Sequence, residues 1–197
     1  MTQQRPGEEG RSHVVFADAE PLVPSTTAPC AAPERTRWVH AFRPDDVTDI
    51  DPMHVGKWLI YLSCRNVDYC WSRVRDATEA GTLGIAAKIS TDWGKAHDLA
   101  GMLTEGLGGW RDHVICVYTA DWEDREDLVR VGRRLADVDA VRTQTLLYKP
   151  DAFTYEGIWA GSSPGHVAIY SMKKPYTTLT EHREALERLA IERESRS

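Results

Sequence analysis

Gly56-Lys57-Trp58-Leu59-Ile60-Tyr61-Leu62-Ser63 is the stretch that decides the fold. Read at period two, Trp58, Ile60 and Leu62 form one continuous apolar face, while Lys57, Leu59, Tyr61 and Ser63 form a mixed one. A strand of this kind covers a core with its apolar face and turns the other towards solvent, a ligand or a cleft. A single lysine opening such a strand is most simply an edge residue whose stem snorkels. The same placement recurs twice downstream, which favours a shared role.

In Leu83 to Ser90, Ile85, Ala87 and Ile89 share one face, and Ala86, Lys88 and Ser90 the other. In Thr145 to Lys149, closed by Pro150, Leu147 and Lys149 share a face. Further strands are expected at Arg37 to Phe42, where Trp38, His40 and Phe42 share a face, at His113 to Thr119, and at His166 to Met172.

Between the strands the period changes. Val67, Cys70, Trp71, Val74, Ala77 and Thr78 fall on one helical stripe, with Asn66 as a possible N-cap and Gly81 closing the helix. Leu128, Val131, Leu135 and Val138 form a second stripe, for which Asp121 is the expected cap. Gly132 inside it costs about 1 kcal/mol relative to Ala and points to close packing on a sheet. The spacing predicts helices near residues 66–80, 122–137 and 178–194. The glycine-rich stretch 91–112, bracketed by Trp93 and Trp110, reads mainly as loop with room for a short helix around Lys95 to Leu103, and the stretch carrying Phe153, Tyr155 and Trp159 reads as loop.

The fold class expected is α+β: a curved, mainly antiparallel sheet with helices on one face. Residues 1–34 read as a disordered, dispensable leader whose one apolar island is Val14-Val15-Phe16, residues 35–176 as a single domain, and 177–197 as a C-terminal helix.

Composition bounds the function. Among 197 residues, 42% are hydrophobic, enough for a full core, and the net charge is −6 with no basic block, which argues against duplex nucleic acid as partner. No apolar run approaches a membrane span, and no secretory signal pattern opens the chain. Four cysteines lack zinc spacing and seven histidines lack HxxxH or HExxH, so no metal is expected and a reducing cytoplasm is. No GxGxxG or P-loop occurs, and no cofactor is expected.

Lys57, Lys88 and Lys149 thus sit on the mixed faces of three strands. With helices on the other face, their ammonium groups converge on the open side. Converging cations repel, and a phosphate group relieves them. Tyr61, Tyr118 and Tyr155 are candidate hydroxyl donors, and Trp93, Trp110 or Trp159 could stack on a base or line the mouth. A lysine beside lysines has its pKa lowered and can act as a base. The plainer alternative is three unrelated lysines, each paired with one of 30 acidic residues.

Gly56-Lys57-Trp58, Leu83 to Thr91, Val114 to Thr119, Leu147-Tyr148-Lys149-Pro150-Asp151 and Thr154 to Ile158 resemble the motif blocks of the basophilic-leukaemia-expressed protein family. The resemblance implies the fold of the cap-binding initiation factor 4E. Bacterial proteins with similar blocks are described as phosphothreonine lyase domain proteins. That implies β-elimination on a phosphorylated small molecule or peptide, with Lys88 as base, Lys57 and Lys149 on the phosphate, and His40 or His166 as acid. Effector-type lyases carry the acid histidine two residues after a lysine; here the position two after Lys57 is Leu59. The alternative is a non-catalytic nucleotide- or phosphate-binding module of the same fold.

Overall fold

The computed structural model describes residues 23–44, 50–97, 112–138, 145–158 and 167–194. Among the described residues, seven strands, β1 (Trp38–Phe42), β2 (Gly56–Ser63), β3 (Ala86–Ser90), β4 (Asp112–Thr119), β5 (Leu146–Pro150), β6 (Tyr170–Met172) and β7 (Thr180–Glu181), form one sheet in the order β1-β3-β4-β2-β5-β6-β7. Every neighbouring pair is antiparallel. The helices are α1 (Val67–Glu79), α2 (Asp92–His97), α3 (Arg125–Asp137), α4 (Asp151–Tyr155) and α5 (Arg183–Glu194). The architecture is the expected α+β arrangement.

Alternation on β2 divides the interior in two. Trp58 and Ile60 join Val39, Ala87, Ile89, Ile115, Val117 and Tyr148 in the main core, beneath α1 (Val67, Trp71, Val74) and α3 (Leu128, Val131, Leu135). Fully burying each such large side chain contributes about 1.5–3 kcal/mol. Gly132 lets α3 approach the sheet: a Cβ there would lie 2.5 Å from Met172 Sδ and 3.6 Å from Trp58 Cζ2. Ala185 and Leu189 of α5 close the same core.

Several boundaries differ from the pattern reading, each for a local reason. The third strand begins at Ala86 rather than Leu83: a Cβ on Gly84 would lie 2.1 Å from the Tyr118 carbonyl oxygen, so backbone itself packs there. Helix α3 is capped by Asp124, which accepts from the Asp127 N–H, whereas Asp121 makes a local turn with the Glu123 N–H. Asn66 precedes α1 without a capping side-chain bond. The stretch after Pro150, read as loop, forms α4, with Pro150 at its N-cap in the extended conformation usual for that position. The last predicted strand shortens to β6, and the final helix starts at Arg183 after the unforeseen β7.

The end of the expected leader is packed. Pro29 is buried in a 3-10 turn, Val23 and Ala32 lie against the core, and the Trp71 indole N–H donates to the Ser25 carbonyl at 2.9 Å. The Val14-Val15-Phe16 island lies outside the described residues. Among the described residues no helix is long and apolar enough to cross a membrane.

Candidate functional site

Strand register brings the lysines together on the sheet face opposite the helices. Lys57 pairs across β2/β5 with Lys149 and across β2/β4 with Tyr118, Lys88 pairs across β3/β4 with Cys116, and His40 pairs across β1/β3 with Lys88. Directly opposed residues in an antiparallel pair project from the same face. The second apolar cluster, with Leu59, Val114, Cys116 and Tyr118 and with Trp38, Phe42 and Tyr61 at its margin, surrounds them.

This face is not the open surface the sequence suggests. Lys57, Lys88 and Lys149 are only 7%, 8% and 6% exposed. Their amines must therefore find partners inside the protein. Lys57 Nζ donates to Asp151 Oδ1 at 2.5 Å and to Thr154 Oγ1 at 3.3 Å, both from α4. Lys149 Nζ donates to the Ile158 carbonyl at 2.7 Å. Lys88 Nζ lies 4.3 Å from the Trp38 ring centroid, and the Tyr118 ring has Lys57 Nζ at 5.2 Å and Lys88 Nζ at 6.0 Å. Such cation–π contacts favour the charged amine.

The electrostatics separate the two facing lysines. Burial opposes the charge on Lys57, but the Asp151 carboxylate outweighs it and raises the pKa above the ordinary lysine value. Burial lowers Lys149, the Lys57 charge lowers it further, and its amine titrates at about 7. Burial pushes the Cys116 thiol up, while Lys57, Lys88 and Lys149 all pull it down, so the three amines act on one point.

The other expected residues fall as follows. Tyr61 lies half-buried on the same face, its hydroxyl pushed up to about 12 by burial. Tyr118 is wholly inside the cluster. Tyr155 is 43% exposed on α4, its pKa raised by burial and Asp151 and drawn down by Lys57, so it stands beside the Lys57–Asp151 pair. His40 stacks on Phe42 at 6.0 Å. Trp93 faces the Arg37 guanidinium at 6.0 Å from its ring. His166, Trp110 and Trp159 lie outside the described residues.

Sequence reasoning missed Asp151, although it adjoins Lys149-Pro150 in a quoted block. It also missed two groups of metal donors that the fold assembles among the described residues, Cys30–Asp92–His113 and His54–Asp121–Glu123. Motif spacing reports only donors close in sequence, and each of these groups joins donors far apart along the chain.

The protein is thus an antiparallel α+β sheet protein with a buried lysine cluster on the face away from its main helices. Residues 49–157 match the family model of the basophilic leukemia-expressed protein Bles03, and the chain belongs to that family. The matched segment contains Lys57, Lys88, Lys149, Asp151 and Tyr155 and leaves out His40 and His166. Similar solved structures include schistosome eIF4E complexed with m7GpppA and 4E-BP, at 16% identity, covering 62% of this chain and 62% of that one, with a TM-score of 0.43. Another is a complex of C. elegans eIF4E-3 with the 4E-binding protein Mextli and a cap analog, at 17% identity, 60% and 65% coverage and a TM-score of 0.42.

Proposed function

We propose that the lysine cluster binds a phosphorylated ligand and eliminates phosphate from a phosphothreonine-type ester. The observation behind this reading is the opposed pair Lys57 and Lys149. One is held charged by Asp151 and the other is brought to about 7 by burial and by that charge. Neighbouring groups whose environments push their titrations apart divide the acid and base roles.

In this reading the neutral Lys149 amine takes the proton from the carbon next to the ester-bearing carbon. The electron pair left behind becomes a carbon–carbon double bond, the carbon–oxygen bond breaks, and phosphate leaves with its electrons. No water and no cofactor is consumed. Lys57 and Lys88 offset the charge of the leaving phosphate, with Tyr61, Tyr118 and Tyr155 as hydroxyl donors. The base role passes from Lys88 to Lys149 because Lys88 lies over the Trp38 indole, which favours the ammonium form. His40, across from Lys88, is the proposed proton donor.

The test is phosphate release and the matching mass loss from phosphothreonine peptides. Lys149→Ala and Lys149→Arg should both abolish turnover, since Arg cannot act as a base at ordinary pH. Lys88→Arg should retain turnover and Lys88→Ala should lose it. Release that survives Lys149→Ala would remove that residue as base. Tight peptide binding without release, kept in the arginine variants, would favour the non-catalytic binding module.

A further inference from the structure

We propose that Cys30, Cys64, Asp92 and His113 form a binding site for one divalent transition-metal ion of the zinc type. The site lies away from the lysine cluster: His113 pairs with Leu62, near the opposite end of β2 from Lys57, and projects from the other sheet face. Its donors come from the 3-10 turn at Pro29–Ala31, the turn just after β2, α2 and β4.

The anchor is His113, which has no exposure. Its Nδ1 lies 2.6 Å from the Ser90 carbonyl oxygen, so the N–H is on Nδ1 and donates there. That leaves the Nε2 lone pair aimed into the cluster, the arrangement by which a backbone carbonyl orients a metal-binding imidazole. From Nε2, Cys30 Sγ is 3.7 Å away and Asp92 Oδ1 3.3 Å away. A tetrahedral zinc centre with ordinary bond lengths has a sulfur–nitrogen edge of about 3.6 Å and a nitrogen–oxygen edge of about 3.3 Å. All three donor atoms lie within 4.8 Å of one another.

A cation already occupies the neighbourhood. Lys95 Nζ lies 2.8 Å from Asp92 Oδ1, 2.8 Å from His113 Nε2 and 3.5 Å from Cys64 Sγ. The ammonium thus contacts three of the four donors, and a metal ion would compete with it for them. Lys95 belongs to the short helix α2, and its flexible stem can withdraw. Cys64 Sγ lies against the ammonium but outside the three-donor group, and it moves in as the fourth donor when Lys95 gives way. Cys30, Cys64 and Asp92 are exposed, which gives an entry path to a buried imidazole. Sulfur and nitrogen donors select zinc-like ions over magnesium or calcium. Each cysteine that ligates gives its proton to solvent, because ligands bind deprotonated.

The test uses the full chain, stripped of metal and kept reduced without added thiol, titrated with Co2+. One equivalent should give the visible bands of a tetrahedral centre and a thiolate charge-transfer band, both abolished by Zn2+. Cys30→Ser and Cys64→Ser should each weaken binding by about tenfold or more, and Lys95→Ala should tighten it by about tenfold. Both cysteines are exposed, so these variants should keep the near-ultraviolet circular dichroism of the parent. A wild-type chain with no tetrahedral cobalt spectrum would overturn the proposal. So would a spectrum unchanged in the Cys30→Ser/Cys64→Ser double variant, or weaker binding in Lys95→Ala.

Discussion

Lys57 and Lys149 face each other across β2 and β5, and their surroundings drive the two amines in opposite directions. Lys57 is stabilised as a cation by Asp151. Lys149 bears the consequence of that charge, on top of its own burial.

The pH dependence follows from Lys149. Its folded value of about 7 lies below the ordinary 10.5, so between these limits the unfolded chain binds more protons than the folded one. Stability should rise with pH through that window. The penalty is fully present below about 7 and gone above 10.5. Lys57, raised above 10.5, acts only at higher pH, where its contribution is lost. Subtracting the stability curve of Lys149→Met from that of the parent should isolate a rise from pH 7 to 10.5. A flat difference curve would mean the amine is solvated.

Asp151→Ala leaves the Lys57 ammonium buried without its carboxylate. The expected cost is about 3–5 kcal/mol in urea unfolding at neutral pH. Lys57→Met combined with Asp151→Leu should recover most of it, because a buried pair exchanged for apolar groups is close to neutral. A single-variant cost under about 1 kcal/mol would place the pair in solvent-like surroundings.

Gly56→Ala should destabilise by about 1–3 kcal/mol through overpacking. The added Cβ would meet Tyr148 Oη at 2.3 Å and Cζ at 2.6 Å, and that ring is fully buried. Adding Tyr148→Phe should restore only part, since ring carbons also stand in the way and the hydroxyl's bond with Thr119 Oγ1 is lost. Thermal unfolding of the two variants measures both effects.

Deleting residues 1–32 should lower Tm by on the order of 5 °C. The truncation removes Val23, Ala32 and the buried Pro29 from the core surface and the Ser25 carbonyl from the Trp71 indole. An unchanged Tm would support the dispensable leader that composition alone suggests.

The lysine face was legible because period-two alternation reports which side chains share a sheet face, and antiparallel pairing then aligns them. What pattern could not supply was depth. Lys57, Lys88 and Lys149 look the same at an exposed edge and inside a second core. Asp151 escaped notice because an acid after Pro150 resembles ordinary turn punctuation. The donors around His113 were invisible for a different reason. They come from four elements and meet only after the chain has folded, so no local spacing marks them.

Lys57 and Trp58 are neighbours on β2, one pointing into the lysine face and the other into the helix-covered core. A slip of one residue along either partner strand would exchange them. An ammonium would then enter the layer of Leu128 and Val131, and an indole would fill the place beside Asp151. Each error is costly on its own face, and the two occur together. The cation that makes the second face chemically distinctive therefore also guards the pairing of the central strands as the chain folds.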